Sequence, residues 1–444
     1  MIKIGKNKFK YLWLFWGVPF FCSLFFGVCQ SLFAFELENL EPIVKDDTIL
    51  IFAPHPDDEA LACSGIIHDA LRKKAQVKIV YLTNGDHNQL AFIVYEKRLV
   101  FRKGEFIHMG EVRQKEAIKA MASLGLDQNN LIFLGYPDFG TFIMFTRYWD
   151  SPKPFKSLLT RLNKVPYKEN FSFGKSFTPE NILSDIETII QTYTPTKIFV
   201  SHAADTNGDH RALALFLDTA LWDLEGKIAA PRVFHYLIHH ADWPLPRKYH
   251  PELLLEVPQD LHYIGTWSSF ALRPYVVTNK YNALHSYKSQ TESSGFYLFS
   301  FARGNELFQE LPVFPLSREA KTLVDTYYEY AMSDNQLIIK LIHPVENQDI
   351  SKLSMYVFGF RKDIAFSQMP KIFLNIRSNA MNGFDGKKHL DTTGIVVSSE
   401  GSATVIRLPL SLLNNPQKLL ISVRIASKRV PYAQGIWSKF ELKQ

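Results

Sequence analysis

Residues 48–65 constrain this chain more than any other stretch. An apolar run, 49–53, is stopped by Pro54 and Pro56 and gives way near Glu59 to a helical pattern. At the break stand His55, Asp57, Asp58 and Glu59. One imidazole and three carboxylates in five residues are costly to pack against a buried strand unless something satisfies them. Open α/β sheets bind ligands at the carboxyl ends of their strands, so a polar cluster at such a break is a candidate site on physical grounds.

The same pattern repeats along the chain. Residues 60–74 space Leu61, Ile66, Ile67, Ala70 and Leu71 along one helical side. A second strand is predicted over 77–82, a third over 131–134, a fourth over 197–200 and a fifth over 233–238, each ending in polar residues. Helices are predicted over 111–124, closed by Gly125, over 178–193, opened by Thr178-Pro179-Glu180, and over 210–224. Residues 87–110 read as an inserted loop. A second insertion, 141–176, reads as the lining of a substrate groove or as plain surface. Strand–helix alternation through residue 240 predicts an α/β fold: a Rossmann-like, mostly parallel sheet with helices on both faces and its polar strand ends on one rim. From about 316 the pattern changes to short strand-like runs separated by Gly, Pro, Asn and Asp, which predicts a C-terminal all-β, sandwich-like domain over 316–444.

Composition bounds the partners. The formal charge of +6 misleads, because Lys3, Lys6, Lys8 and Lys10 precede the first acidic residue, Glu36. Beyond them 46 basic residues face 44 acidic ones, so no basic stripe recommends a nucleic-acid partner. Residues 11–35 carry no charge at all. With the lysines ahead of it, segment 1–35 reads as a signal anchor or a signal peptide, and the remainder is expected to be exported. The protein is then membrane-anchored with the remainder of the chain outside the cytoplasm, or secreted or periplasmic if the segment is cleaved. Only Cys63 lies beyond this segment, so the exported part can form no internal disulfide.

A second polar cluster, Asp205-Thr206-Asn207-Gly208-Asp209-His210-Arg211, follows the fourth strand. Two histidines and a carboxylate drawn from two strand ends match the three-ligand layout of a catalytic zinc site, with a neighbouring carboxylate free to take a proton from water. The same residues would serve equally as helix caps and loop hydrogen-bond partners.

Pro54-His55-Pro56-Asp57-Asp58-Glu59 together with Asp205-x-x-x-Asp209-His210-Arg211 resembles the PIG-L/LmbE family of zinc-dependent N-acetylglucosaminyl deacetylases. Arg113-x-x-Glu116-x-x-x-Ala120, Tyr136-Pro137-Asp138-Phe139-Gly140, and the segments 280–290 and 301–308 resemble that family in the same order, so the resemblance covers about 45–312. It implies that His55, Asp58 and His210 bind Zn2+, that Asp57 is the general base, that Arg113 and Asp138 hold sugar hydroxyls, and that Asp209 orients a ligand or the base. Many members carry a histidine where this chain has Asn207, which cannot act as an acid. His239, at the end of the fifth strand, is the candidate to protonate the leaving amine in its place. The activity implied is removal of acetyl groups from N-acetylhexosamine units of a cell-surface glycan or glycolipid. The alternatives are hydrolysis of another sugar-linked amide, or glycan binding on a catalytically retired deacetylase fold.

Overall fold

Eight strands form the central sheet of the computed structural model, which describes residues 37–87, 103–262, 265–317, 321–324, 328–333, 335–342, 352–377, 380–426 and 435–443. They are β1 (Glu38–Asn39), β2 (Thr48–Ala53), β3 (Gln76–Thr83), β4 (Leu131–Tyr136), β5 (Lys197–Ser201), β6 (Arg232–Tyr236), β7 (Thr266–Ala271) and β8 (Asn305–Glu310), in the order β1-β7-β8-β6-β5-β2-β3-β4. All pairs are parallel except those of β8, which runs antiparallel to β6 and β7. The helices are α1 (Asp58–Lys73), α2 (Lys103–Ser123), α3 (Thr141–Arg147), α4 (Pro179–Tyr193), α5 (Gly208–Asp223), α6 (Pro274–Leu284) and α7 (Lys288–Leu298). The expected α/β architecture is present.

The apolar run of β2 is buried on both faces, as a central parallel strand requires. Ile49, Ile51 and Ala53 pack into a core with Ile66 and Ile67 of α1 and Ala117, Ala120 and Met121 of α2. Leu50 and Phe52 face the other way, into a core with Ile182, Ile186 and Ile189 of α4 and Leu213 and Leu217 of α5. From β2 the chain builds β3 and β4 on one side, then crosses to start β5 and β6 on the other. The gap between the ends of β2 and β5 is therefore the switch point, where the two diverging loops leave a crevice.

Two expectations change. Helix α2 begins at Lys103, not near residue 111, because Phe106 and Met109 extend its buried side by more than a turn. The remainder of the expected loop, 88–102, lies outside the described residues. The second insertion is more than plain surface: Thr146, Arg147 and residues 149–152 line a cavity against the C-terminal sheet residues Lys371 and Asp385. After α3 it runs through irregular backbone, yet it buries Phe155, Val165 and Tyr167 in the core. It braces the loop after β3, where Tyr167 donates to Asp86 Oδ2 at 2.7 Å and Asn170 donates to Asn84 Oδ1 at 2.9 Å.

The C-terminal part is all β. One sheet of seven strands contains β9 (Val313–Leu316), β13 (Lys352–Phe360), β14 (Lys371–Arg377), β15 (Ala380–Asp385), β16 (Lys388–Leu390), β19 (Lys418–Ala426) and β20 (Trp437–Leu442). A second sheet of five contains β10 (Thr322–Leu323), β11 (Tyr328–Ser333), β12 (Gln336–Ile342), β17 (Val396–Glu400) and β18 (Ala403–Pro409). Period-2 alternation along β13 decides what each face covers. Leu353, Met355 and Val357 pack against Leu337, Ile339, Ile406 and Leu408 of the five-stranded sheet. Phe358 and Phe360, with Leu420 and Trp437, instead join the core formed by α4 and α5. The seven-stranded sheet is thus a middle layer with both faces covered. A buried ion pair crosses the same junction, Lys439 Nζ to Asp218 Oδ1 at 2.9 Å. No helix among the described residues is long and apolar enough to cross a membrane. The expected anchor or signal segment, 1–35, lies outside the described residues.

Candidate active site

The site assembles at the switch point. The loop after β2 turns back on itself, with the His55 N–H donating to Asp58 Oδ2 at 2.9 Å. Asp57 caps α1 at φ 129°, a backbone conformation that a non-glycine residue adopts only when its surroundings impose it. Its N–H donates to Glu59 Oε2 at 3.0 Å, and Glu59 Oε1 accepts from the Tyr287 hydroxyl. From the other side of the crevice, the first turn of α5 brings in Asp209 and His210, both fully buried. Asn207 caps that helix through its own Oδ1, which accepts from the Asp209 N–H at 2.8 Å.

Three donor atoms converge there. His55 Nδ1 lies 3.3 Å from Asp58 Oδ2, Asp58 Oδ2 lies 3.2 Å from His210 Nε2, and His210 Nε2 lies 3.3 Å from His55 Nδ1. Tetrahedral ligands about 2.0–2.1 Å from a zinc ion stand about 3.3–3.4 Å apart, so this triangle has the size of one face of such a site. The N, N, O donor set also suits that ion. The outer nitrogens are oriented by carboxylates, as metal-binding imidazoles require. His210 Nδ1 lies 3.0 Å from Asp205 Oδ2, and His55 Nε2 lies 3.2 Å from Asp138 Oδ1 and 3.4 Å from Asp209 Oδ2. His55, Asp138 and Asp209 form a second close group. It is better read as two acceptors on one N–H, because the other nitrogen of the same ring faces the triangle.

Electrostatics follow from burying so many charges together. Burial alone would lower the His210 pKa, but Asp205 and Asp58 outweigh it and lift the ring to about 9. Burial would raise Asp58, yet His210 and His55 hold it well below the usual carboxylate range. Burial wins at Asp57, which is pushed up to about 8 against the pull of Arg113. Burial likewise lifts Glu59 to about 7, against its bond from Tyr287.

The triangle opens onto a cavity of about 450 Å³, a size ordinary for a small-molecule site. Asp57, Arg113, Asp138, Phe139, Asn207, His239, Gln290, Ser294 and Tyr297 line it. Arg113 is 3% exposed and already committed. It donates to the Pro56 carbonyl at 2.8 Å and the Gly85 carbonyl at 3.1 Å, and its Nη2 lies 3.3 Å from Asp57 Oδ2. Gly85 has φ +66°, and a Cβ there would fall 2.0 Å from Arg113 Nη1, so only glycine admits this strut. Asp138 also accepts the His87 N–H at 2.9 Å. Both residues expected to hold sugar hydroxyls therefore touch the cavity while bracing Asp57 and His55. His239 lies at the wall, its ring 4.7 Å from that of His210 and stacked on Tyr297 at 6.0 Å. Burial pushes its imidazole down to about 4, so near neutral pH it lacks the proton an acid must give. His202 does not reach the cavity; it is spent on Gln309 and the Ala204 N–H.

Sequence reasoning named no role for Asp205, although it opens the second motif. Tyr287 and Gln290 lie in the segment 280–290 that carries the resemblance but were given no role there, and Ser294 and Tyr297, further along α7, were passed over. No spacing rule relates that segment to residues 55–59 some 230 positions earlier.

Fold and site together define an α/β protein with a His–Asp–His set that could hold one metal ion at the carboxyl ends of β2 and β5. Residues 50–221 match the family model described as PIG-L: GlcNAc-PI de-N-acetylase. No curated protein matches the chain. Among solved structures, the A40926 pseudoaglycone deacetylase Dbv21 aligns at 16% identity and a TM-score of 0.37, covering 60% of this chain and 97% of its own. The N,N'-diacetylchitobiose deacetylase from Pyrococcus horikoshii aligns at 15% and 0.37, covering 60% and 84%. The 4-carboxy-2-hydroxymuconate hydratase GalB from Pseudomonas putida KT2440 aligns at 14% and 0.36, covering 58% and 82%.

Proposed function

We propose that this chain is a zinc-dependent N-deacetylase that hydrolyses the acetamido group of an N-acetylated sugar, leaving a free amine and acetate. The observation that carries the reading is the 3.2–3.3 Å triangle of His55 Nδ1, Asp58 Oδ2 and His210 Nε2 beside Asp57 in the cavity. When bound to these three residues, zinc supplies a Lewis acid that polarises the amide carbonyl and makes water a nucleophile near neutral pH. The protein does the rest. Asp57 takes a proton from the attacking water through its carboxylate, which Arg113 holds in place. Once protonated, Asp57 returns the proton to the departing amine, the step for which Asn207 and a neutral His239 are unsuited. Asp205, Asp138 and Asp209 hold the two imidazoles with their inner nitrogens turned to the site.

The charge-free segment 11–35 behind four lysines supports an extension of this reading. On that reading the protein works outside the cytoplasm, anchored or released, on a cell-surface glycan or glycolipid.

The test is the metal content of the purified protein, wild type beside His210→Ala, followed by acetate release from N-acetyl sugars. About one zinc per chain, lost in the variant, with zinc-dependent acetate release, is the expected result. A folded, zinc-supplied wild type that binds no metal would overturn it and turn attention to glycan binding without catalysis.

A further inference from the structure

We infer that Phe139 is a stacking platform for the apolar face of a pyranose ring held in the cavity. This rests on the deacetylase reading above and deepens it, by naming what makes the site recognise a sugar and not amides in general.

Phe139 is 58% exposed, although Asp138 and Gly140 on either side are buried. Its φ is +57°, in the left-handed region. A bulky side chain is a rare outlier there and sits under backbone strain. The backbone gains one contact from that conformation: the Phe139 N–H donates to Asp209 Oδ2 at 2.6 Å. Glycine or asparagine would make the same bond with less strain. The bond therefore accounts for the turn and not for the phenyl group. Core packing does not account for it either, because the ring is exposed. What remains is its position. The ring forms part of the cavity wall, with its centroid 5.2 Å from that of His87.

The other walls identify the ligand chemistry. Arg113, Asn207, Gln290 and Ser294 line the same cavity with polar groups, and Leu61, Tyr297 and Leu298 add apolar surface beside them. A ligand that meets a phenyl face on one side and hydrogen-bonding groups around it has an apolar face and a polar rim. A pyranose is such a ligand, with C–H bonds over its faces and hydroxyl and acetamido groups at its edge. A small acyclic amide would leave the phenyl ring in water.

The experiment compares full-length, zinc-supplied wild type with Phe139→Ala, Phe139→Leu and Phe139→Tyr on two substrates, N,N'-diacetylchitobiose and acyclic N-acetylethanolamine. Wild type is expected to favour the pyranoside by kcat/KM. Phe139→Ala should cut that preference about tenfold, mostly through KM, with zinc content held at the wild-type level. Phe139→Tyr should stay within about twofold of wild type, and Phe139→Leu should resemble the alanine variant. Leucine as good as tyrosine, or a preference unchanged in Phe139→Ala, would overturn the stacking role. Equal turnover of the two substrates by wild type would overturn the sugar assignment while leaving the deacetylase reading intact. If wild type releases acetate from neither, the deacetylase reading falls, and the platform is tested by saturation-transfer NMR of the disaccharide. Signals from ring-face C–H groups that vanish in Phe139→Ala support it, and no binding to wild type overturns it.

Discussion

Asp205 Oδ2 lies 3.0 Å from His210 Nδ1, and the same oxygen accepts the N–H groups of Ile238 at 3.2 Å and His239 at 2.9 Å. Its other oxygen accepts the Asn207 N–H at 2.8 Å. Three backbone donors from two loops thus fix a carboxylate whose remaining task is to orient one imidazole. Removing such a partner typically weakens metal binding by ~10–100-fold. Asp205→Asn is expected to lose zinc affinity in that range, measured by competition with a chelator, while circular dichroism stays that of wild type. Unchanged affinity would make Asp205 a loop anchor only.

Asp57→Asn keeps the size of the side chain and removes its basicity. Zinc content should stay near one per chain while acetate release falls by ~10²–10⁴-fold, the usual weight of a general base. Turnover equal to wild type would place the proton transfer on another group.

The C-terminal sheets are built into the fold. Trp437 packs with Phe358 and Tyr356 at ring separations of 5.3 and 5.4 Å and meets Phe142 of α3 at 6.5 Å. Arg211, the residue after His210, lies over that same Phe142 ring at 4.7 Å. Trp437→Ala should therefore cost about 3–5 kcal/mol in urea unfolding, the range for a buried large aromatic. A fragment ending at residue 312 should be insoluble, because it bares the core shared with Phe358, Phe360 and Leu420. A soluble, fully active fragment would show that the β layers are dispensable.

Lys371 provides a pH dependence remote from the His–Asp–His site. Burial pushes its ammonium down from the ordinary 10.5 to about 7, while it donates to the Met369 carbonyl at 2.6 Å and lies over the Phe366 ring at 4.3 Å. Between about 7 and 10.5 the unfolded chain holds a proton at this residue that the folded chain does not. Stability should therefore gain a rising contribution from Lys371 as pH climbs through that window, and carry the full penalty below about 7. Lys371→Met removes the titration at similar volume. Urea midpoints taken from pH 6.5 to pH 10 should rise less steeply in the variant, and parallel curves would contradict this account.

The sequence by itself determined the alternation of strands and helices, because a strand buried on both faces must be an apolar run and a helix on its surface must be apolar every three to four residues. It also located His55, Asp57, Asp58 and His210, since polar residues that interrupt such a run stand out against it. It misjudged the start of α2, where Gly104, Glu105 and His108 dilute the apolar spacing while Phe106 and Met109 still reach the core. Only the tertiary structure decided that β8 turns antiparallel, that the seven-stranded sheet is covered on both faces, and that Arg113 and Asp138 brace the site from behind as well as lining it. It alone set Asp205 behind His210 and brought Tyr287 and Tyr297 to a loop more than 200 residues away. Local pattern reports which residues must be buried. Which of them meet depends on strand order and on crossings between distant segments, and no periodicity in the chain encodes those.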